Sequence, residues 1–156
     1  MKEDNCNKIT ENIWLGNKDA ALDYNFLKKN NIKRIINVTP NIPFSNFKNI
    51  KYLRIPIETF KYTNTENKFN HIITDCNTFN KYNILVYHFI KEAQLKNYNV
   101  LIHCRKGHTR SAIVLLYYLF TTTYNNKNII IKDIQNKRNN TFKNYTYILN
   151  INNNVD

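Results

Sequence analysis

Glycine is scarce in this chain. Two of its 156 residues are glycine, Gly16 and Gly107, and Gly107 stands in the middle of 103-HCRKGHTRS-111. Cysteine is scarce too. Cys6, Cys76 and Cys104 compose no disulfide framework and no C-x-x-C metal pair. The four histidines are scattered and none forms an H-x3-H pair, so no zinc signature is present and no metal or cofactor is expected. The longest apolar run, Ile113 to Phe120, is too short to span a bilayer. There is no secretory pattern at the start, so the expectation is a soluble, intracellular, cytoplasmic protein without membrane insertion. The three N-x-T triplets, at Asn37, Asn139 and Asn144, then read as by-products of an Asn-rich composition.

Acidic residues are few. Eleven Asp and Glu face 23 Lys and Arg, a net charge of +12. A basic surface favours anionic partners: phosphoproteins, nucleic acid or acidic headgroups. The basic residues are spread rather than blocked, which fits the lysine supply of an AT-rich genome equally well. Hydrophobic content of 42% excludes disorder by composition. The length suits one domain, residues 1–156.

Apolar, β-branched runs predict strands at Arg34–Thr39, Tyr52–Ile57 and Asn99–Cys104, with a shorter one at Ile13–Leu15. Helical spacing predicts helices at Lys18–Asn30, with Ala21, Tyr24 and Leu27 inward, and at Phe79–Asn97, with Tyr82, Leu85, Val86, Phe89 and Ala93 inward. Arg110–Thr123 is apolar nearly all round and reads as a buried helix. Two more helices are expected near Lys127–Arg138 and Thr141–Asn152. This alternation argues for an α/β domain with a mostly parallel central sheet flanked by helices. Glu58–Thr78 is polar and weakly patterned, a long loop of the functional kind.

The segment 103–111 thus joins a strand to a helix at the C-terminal edge of the sheet, where α/β folds commonly bind ligands. The helix N-terminus offers unpaired N–H groups to an anion. Gly107 lets the loop turn tightly so that its N–H groups converge. A thiol among those dipoles and beside an arginine has a depressed pKa, which is expected for Cys104. Arg110 presents a planar fork able to hold two phosphoryl oxygens.

H-C-x-x-G-x-x-R-S resembles the signature of the cysteine-based protein tyrosine phosphatase superfamily, most of all its small dual-specificity class, which includes the vaccinia-type viral enzymes. Ile9–Ala21, Ile32–Thr39 and Lys137–Leu149 are similar to other parts of that family, while Lys48–Thr78 aligns loosely. The resemblance implies a protein tyrosine phosphatase-like fold. It also implies a metal-independent phosphatase acting on phosphotyrosine and phosphoserine/threonine through a phosphocysteine intermediate. It makes Cys104 the nucleophile, Arg110 and the loop N–H groups the phosphate ligands, and Ser111 the aid to thiolate departure. His103 would orient the loop and support the low thiol pKa. Arg105, Lys106, Gly107, His108 and Thr109 would line the substrate.

The family's general acid is an Asp on a loop before the long helix. Asp75 has the matching distance from Cys104, whereas the strand Tyr52–Ile57 would lead straight to Glu58. Placing an insertion between Phe60 and Ile72 assigns the role to Asp75. Two alternatives keep the chemistry and change the substrate: the basic Arg105, Lys106 and His108 also suit a phosphoinositide or an RNA 5′ phosphate. A non-catalytic phospho-binding module is disfavoured, because nucleophile and arginine are both present. The composition suggests a viral or protozoan source, hence host cytoplasm or virion if viral.

Overall fold

The computed structural model describes residues 2–57 and 76–143. Asp75 and Glu58 lie outside the described residues, as does the expected last helix from residue 144 onward. The elements run β1 (Cys6–Lys8), β2 (Ile13–Gly16), a 3-10 turn (Ala20–Leu22), α1 (Tyr24–Lys29), β3 (Ile32–Asn37), β4 (Lys51–Arg54), α2 (Cys76–Leu95), β5 (Asn99–His103), α3 (Arg110–Thr123) and α4 (Lys127–Lys137).

The strands form one sheet in the order β1-β2-β5-β3-β4. Only β1 is antiparallel to its neighbour; β2, β5, β3 and β4 are parallel. The expected α/β architecture with a mostly parallel sheet is the one observed. β5 sits at the centre, and its Val100, Leu101 and Ile102 are fully buried. The strand alternates between two cores, as its pleat requires. Val100 and Ile102 pack with Val86, Ile90, Leu115 and Ile134 of the helical layer. Leu101 faces the opposite side with Ala21, Leu27 and Ile35. A strand covered on both faces reads as a continuous apolar run, which is why it was legible.

Several boundaries differ from the sequence reading. β1 is built from Cys-Asn-Lys, which carries no apolar signal; it exists because the open edge of β2 pairs with it. The helix expected over Lys18–Asn30 divides at Asp23, whose carboxylate accepts from the Phe26 N–H at 3.0 Å and starts a new helix. Ala21 and Leu27 are buried there, whereas Tyr24 faces solvent. On α2, Val86, Phe89 and Ala93 are buried as expected, but Leu85 and His88 are exposed.

The shortage of glycine is met by asparagine. Asn31 and Asn97, just beyond the ends of α1 and α2, take φ of 51° and 56°, and Asn46 takes 55° in a loop. Asparagine tolerates the left-handed region better than other residues with a side chain.

Because β2, β5, β3 and β4 are parallel, their C-terminal ends share one edge. Gly16, Asn37, Arg54 and His103 end there together, and the loop 104–109 rises among them.

Candidate active site

β5 delivers Cys104 to that edge and α3 begins six residues later at Arg110. Every carbonyl from Cys104 to Thr109 accepts a hydrogen bond. His103 Nδ1 donates to Cys104 O at 3.1 Å, and the Lys18 N–H donates to Arg105 O at 3.2 Å. Arg138 donates from Nη2 to Lys106 O at 3.0 Å and from Nε to Gly107 O at 2.9 Å. The Phe142 N–H donates to His108 O, and the Ile113 N–H to Thr109 O. In a trans peptide the next N–H points opposite the carbonyl. Fixing these six carbonyls therefore fixes the N–H groups of the same six peptides as well.

The Cys104 sulfur lies among them. The Gly107 N–H donates to Sγ at 3.3 Å, and Ser111 Oγ is 3.1 Å away. Burial of the sulfur opposes ionisation, but the Ser111 hydroxyl, the Ser111 and Gly107 N–H groups and the Arg110 charge outweigh it. The thiol pKa lies below the ordinary cysteine value. Arg110 is buried, and its Nη1 donates to Ile57 O at 3.1 Å, which seats the guanidinium beside the loop.

Gly107 adopts φ +71°, a conformation that L side chains rarely adopt. Its α-carbon lies against the backbone of Gly16, where a Cβ would overlap the Gly16 carbonyl. Gly16 is confined in turn, since a Cβ there would come within 2.6 Å of Cys6 Cβ and 2.8 Å of Asn5 O. The two glycines of the chain meet at one point beneath the loop.

His103 is neutral near neutral pH. Burial dominates and, with Arg54 nearby, pulls its pKa down to about 4 against the opposing bond to Cys104 O. A carbonyl can only accept, so Nδ1 carries the proton in this contact. The imidazole orients the loop, but it brings no positive charge to the thiol. The expectation that His103 lowers the thiol pKa is thereby restricted to an effect through geometry.

The candidate residues separate into groups. Cys104, Gly107, Arg110 and Ser111 are brought together, and His103 supports them from the strand end. Arg105 and Lys106 are exposed, Thr109 is half-buried, and the half-buried His108 turns its Nε2 to Glu3 Oε2 at 2.6 Å. Asp75 lies outside the described residues. Among the described residues no three His, Cys, Asp or Glu side chains converge as a metal site.

Sequence reasoning missed two residues. Arg138 reads as a structural helix charge, yet it lies just past the helix end, its side chain is fully buried, and it braces two loop carbonyls. Its Nη1 also donates to Asp4 O and Asn7 Oδ1 at 2.9 and 2.7 Å. The other is Cys6, which is partly buried, and burial pushes its pKa up to about 11.

A mostly parallel sheet with a cysteine–arginine loop on its central strand defines the protein tyrosine phosphatase-like class. Solved structures share the fold. Human tyrosine phosphatase-like serine/threonine/tyrosine-interacting protein superposes with a TM-score of 0.73 at 19% identity, covering 94% of this chain and 92% of that one. Human DUSP28 gives 0.71 at 15% identity, covering 96% and 92%. Residues 13–154 match the family described as dual specificity phosphatase, catalytic domain, and the chain belongs to that family. It is 37% identical over 112 residues to dual specificity protein phosphatase Mpk3 of Drosophila melanogaster, a match spanning 70% of this chain and 24% of the relative. It is 30% identical over 138 residues to dual specificity protein phosphatase 6 of Homo sapiens, spanning 87% and 32%. The chain thus spans about a quarter to a third of these relatives.

Proposed function

We propose that residues 1–156 form a single catalytic domain that hydrolyses phosphotyrosine and phosphoserine/threonine in phosphoproteins. The observation that carries this reading is the loop around Cys104. Its carbonyls are each held by a donor, and Ser111 Oγ and the Gly107 N–H lie within 3.1 and 3.3 Å of the sulfur. Such a cradle favours both a thiolate and a phosphate dianion.

The Cys104 thiolate attacks phosphorus, and the ester oxygen leaves with a proton from a general acid. We assign that acid to Asp75. Arg110 and the N–H groups hold the equatorial oxygens as the S–P bond forms. Water then attacks the phosphocysteine and gives its proton to the Asp75 carboxylate. Phosphate departs, and the Ser111 hydroxyl donates to the returning thiolate. His103 fixes the Cys104 peptide throughout. No metal or cofactor enters either step. Arg105 and Lys106, exposed beside the loop, meet the acidic flanks of a phosphopeptide.

The test is Cys104→Ser on a doubly phosphorylated peptide, with Asp75→Asn and Glu58→Gln alongside. Cys104→Ser is expected to bind the peptide but not turn it over, because a hydroxyl is a weak nucleophile at neutral pH. Asp75→Asn is expected to slow phenyl phosphate by about 10²–10⁴-fold. It should spare esters of acidic phenols, which leave as anions. Hydrolysis retained by Cys104→Ser would overturn the covalent mechanism, and a leaving-group effect in Glu58→Gln alone would move the acid. A phosphoinositide and a 5′-triphosphorylated RNA in the same panel test the other substrates that a basic rim would accept.

A further inference from the structure

The loop is braced by a residue far away in sequence and outside the matched family region. Glu3 Oε2 holds His108 Nε2 at 2.6 Å, and Glu3 Oε1 lies 3.9 Å from Arg138 Nη2, the nitrogen that donates to Lys106 O. The family match begins at residue 13. Glu3 therefore touches both the loop itself and the loop's buried brace. The segment that carries it is anchored rather than frayed. Asp4 O accepts from Arg138 Nη1 at 2.9 Å, and Asn5 O accepts from the Asn17 N–H at 2.8 Å.

We propose that Glu3 is a positioning residue for the phosphate-binding loop, acting through its hydrogen bond to His108 and its contact with Arg138. This rests on the reading of 104–110 as a phosphate site. His108 follows Gly107, and its carbonyl and its side chain are both tied, to the Phe142 N–H and to Glu3. Its N–H shares a peptide with the Gly107 carbonyl that Arg138 holds, so Glu3 and Arg138 together fix the residue on both sides. Partial burial of Glu3 works against ionisation, yet His108 and Arg138 keep its carboxyl below the usual range. The carboxylate is thus the form that makes both contacts near neutral pH.

Charge and position act on Cys104 with opposite signs. Removing a nearby negative charge makes a thiolate easier to form. Loosening the N–H cradle makes it harder. The test is the pH dependence of iodoacetamide alkylation, read by mass spectrometry on the Cys104 peptide of the full chain, for wild type, Glu3→Gln, Glu3→Ala, His108→Ala and the double variant Glu3→Ala with His108→Ala. Vanadate affinity and Tm are measured on the same proteins. Glu3→Gln keeps an acceptor for His108 and removes the charge, so its midpoint should lie at or slightly below that of wild type. Glu3→Ala should raise the midpoint by about half a unit or more and weaken vanadate binding by about five- to tenfold. His108→Ala should do the same, and the double variant should be no worse than either alone. A Glu3→Ala midpoint at or below wild type would overturn the proposal, as would a Glu3→Gln midpoint that follows Glu3→Ala. A wild type that neither hydrolyses phosphoesters nor binds vanadate would overturn the phosphatase reading instead. The alkylation profile would still report on Glu3 in that case.

Discussion

Gly107 shows how little freedom the site leaves at single positions. Its φ of +71° disfavours any L side chain, and the Gly16 carbonyl occupies the space a methyl group would need. Backbone, not a flexible side chain, stands in the way, so relaxation must move the loop. Gly107→Ala is expected to lower kcat/KM on phenyl phosphate by about 10²-fold or more, the cost of a misplacement of about 1 Å. Steady-state kinetics beside a melting curve checks this; wild-type kcat/KM in the Ala variant would mean that the loop adapts. The glycine's purpose was readable from 103-HCRKGHTRS-111, because a tight turn between a nucleophile and an arginine needs it. Its contact with Gly16 was not readable. Ninety-one positions separate the two, and no local pattern links them.

At the scale of elements, α3 was the plainest to read and its end the least. Ten of its residues, from Arg110 to Leu119, are buried, which matches an apolar run on every face. The C-terminus is closed by three consecutive threonines. Thr121, Thr122 and Thr123 each turn a hydroxyl back onto a carbonyl of Tyr117, Tyr118 or Leu119, at 2.6 to 2.8 Å. Tyr124 then takes φ 57° and is 91% exposed. A tyrosine in the left-handed region costs about 1–2 kcal/mol that a glycine would not. Part of that is offset by the greater freedom of glycine in the unfolded chain. Tyr124→Gly is therefore expected to raise Tm by about 1–4 °C, and Tyr124→Ala should not, since alanine keeps the strain. Differential scanning calorimetry on the pair decides it.

At the scale of the molecule, stability and site are coupled through His103. The folded protein depresses this imidazole from 6.5 to about 4, chiefly by burial. Between those values the unfolded chain takes up a proton that the folded chain refuses, so acid favours unfolding. The stability concerned is complete above pH 6.5 and falls away as pH drops toward 4. From pH 7 to pH 5 the loss amounts to about 2 kcal/mol. Urea titrations of wild type and His103→Gln at both pH values should show this difference, with the variant losing correspondingly less. Equal losses in the two proteins would mean that His103 is not the group refusing the proton. No described helix is long and apolar enough to cross a membrane. The net charge of +12 favours anionic partners.

The sequence by itself determined what short-range pattern can encode. Alternating apolar runs specified the α/β order, and the continuous apolar run of Asn99–Cys104 marked a strand, while its central place came from the fold. The spacing of Cys104, Gly107, Arg110 and Ser111 specified one loop, because all four fall within a single strand-to-helix turn. Tertiary structure decided what holds that loop open. Arg138 comes from beyond α4, Lys18 from beyond β2, and Glu3 from before the first strand. It also decided that His103 is neutral, that Tyr24 and Leu85 face water, and that Cys-Asn-Lys becomes a strand. Each of these depends on a partner brought near only when the sheet closes. A buried carbonyl must find a donor wherever the fold supplies one, and no local pattern in the chain says where that donor comes from.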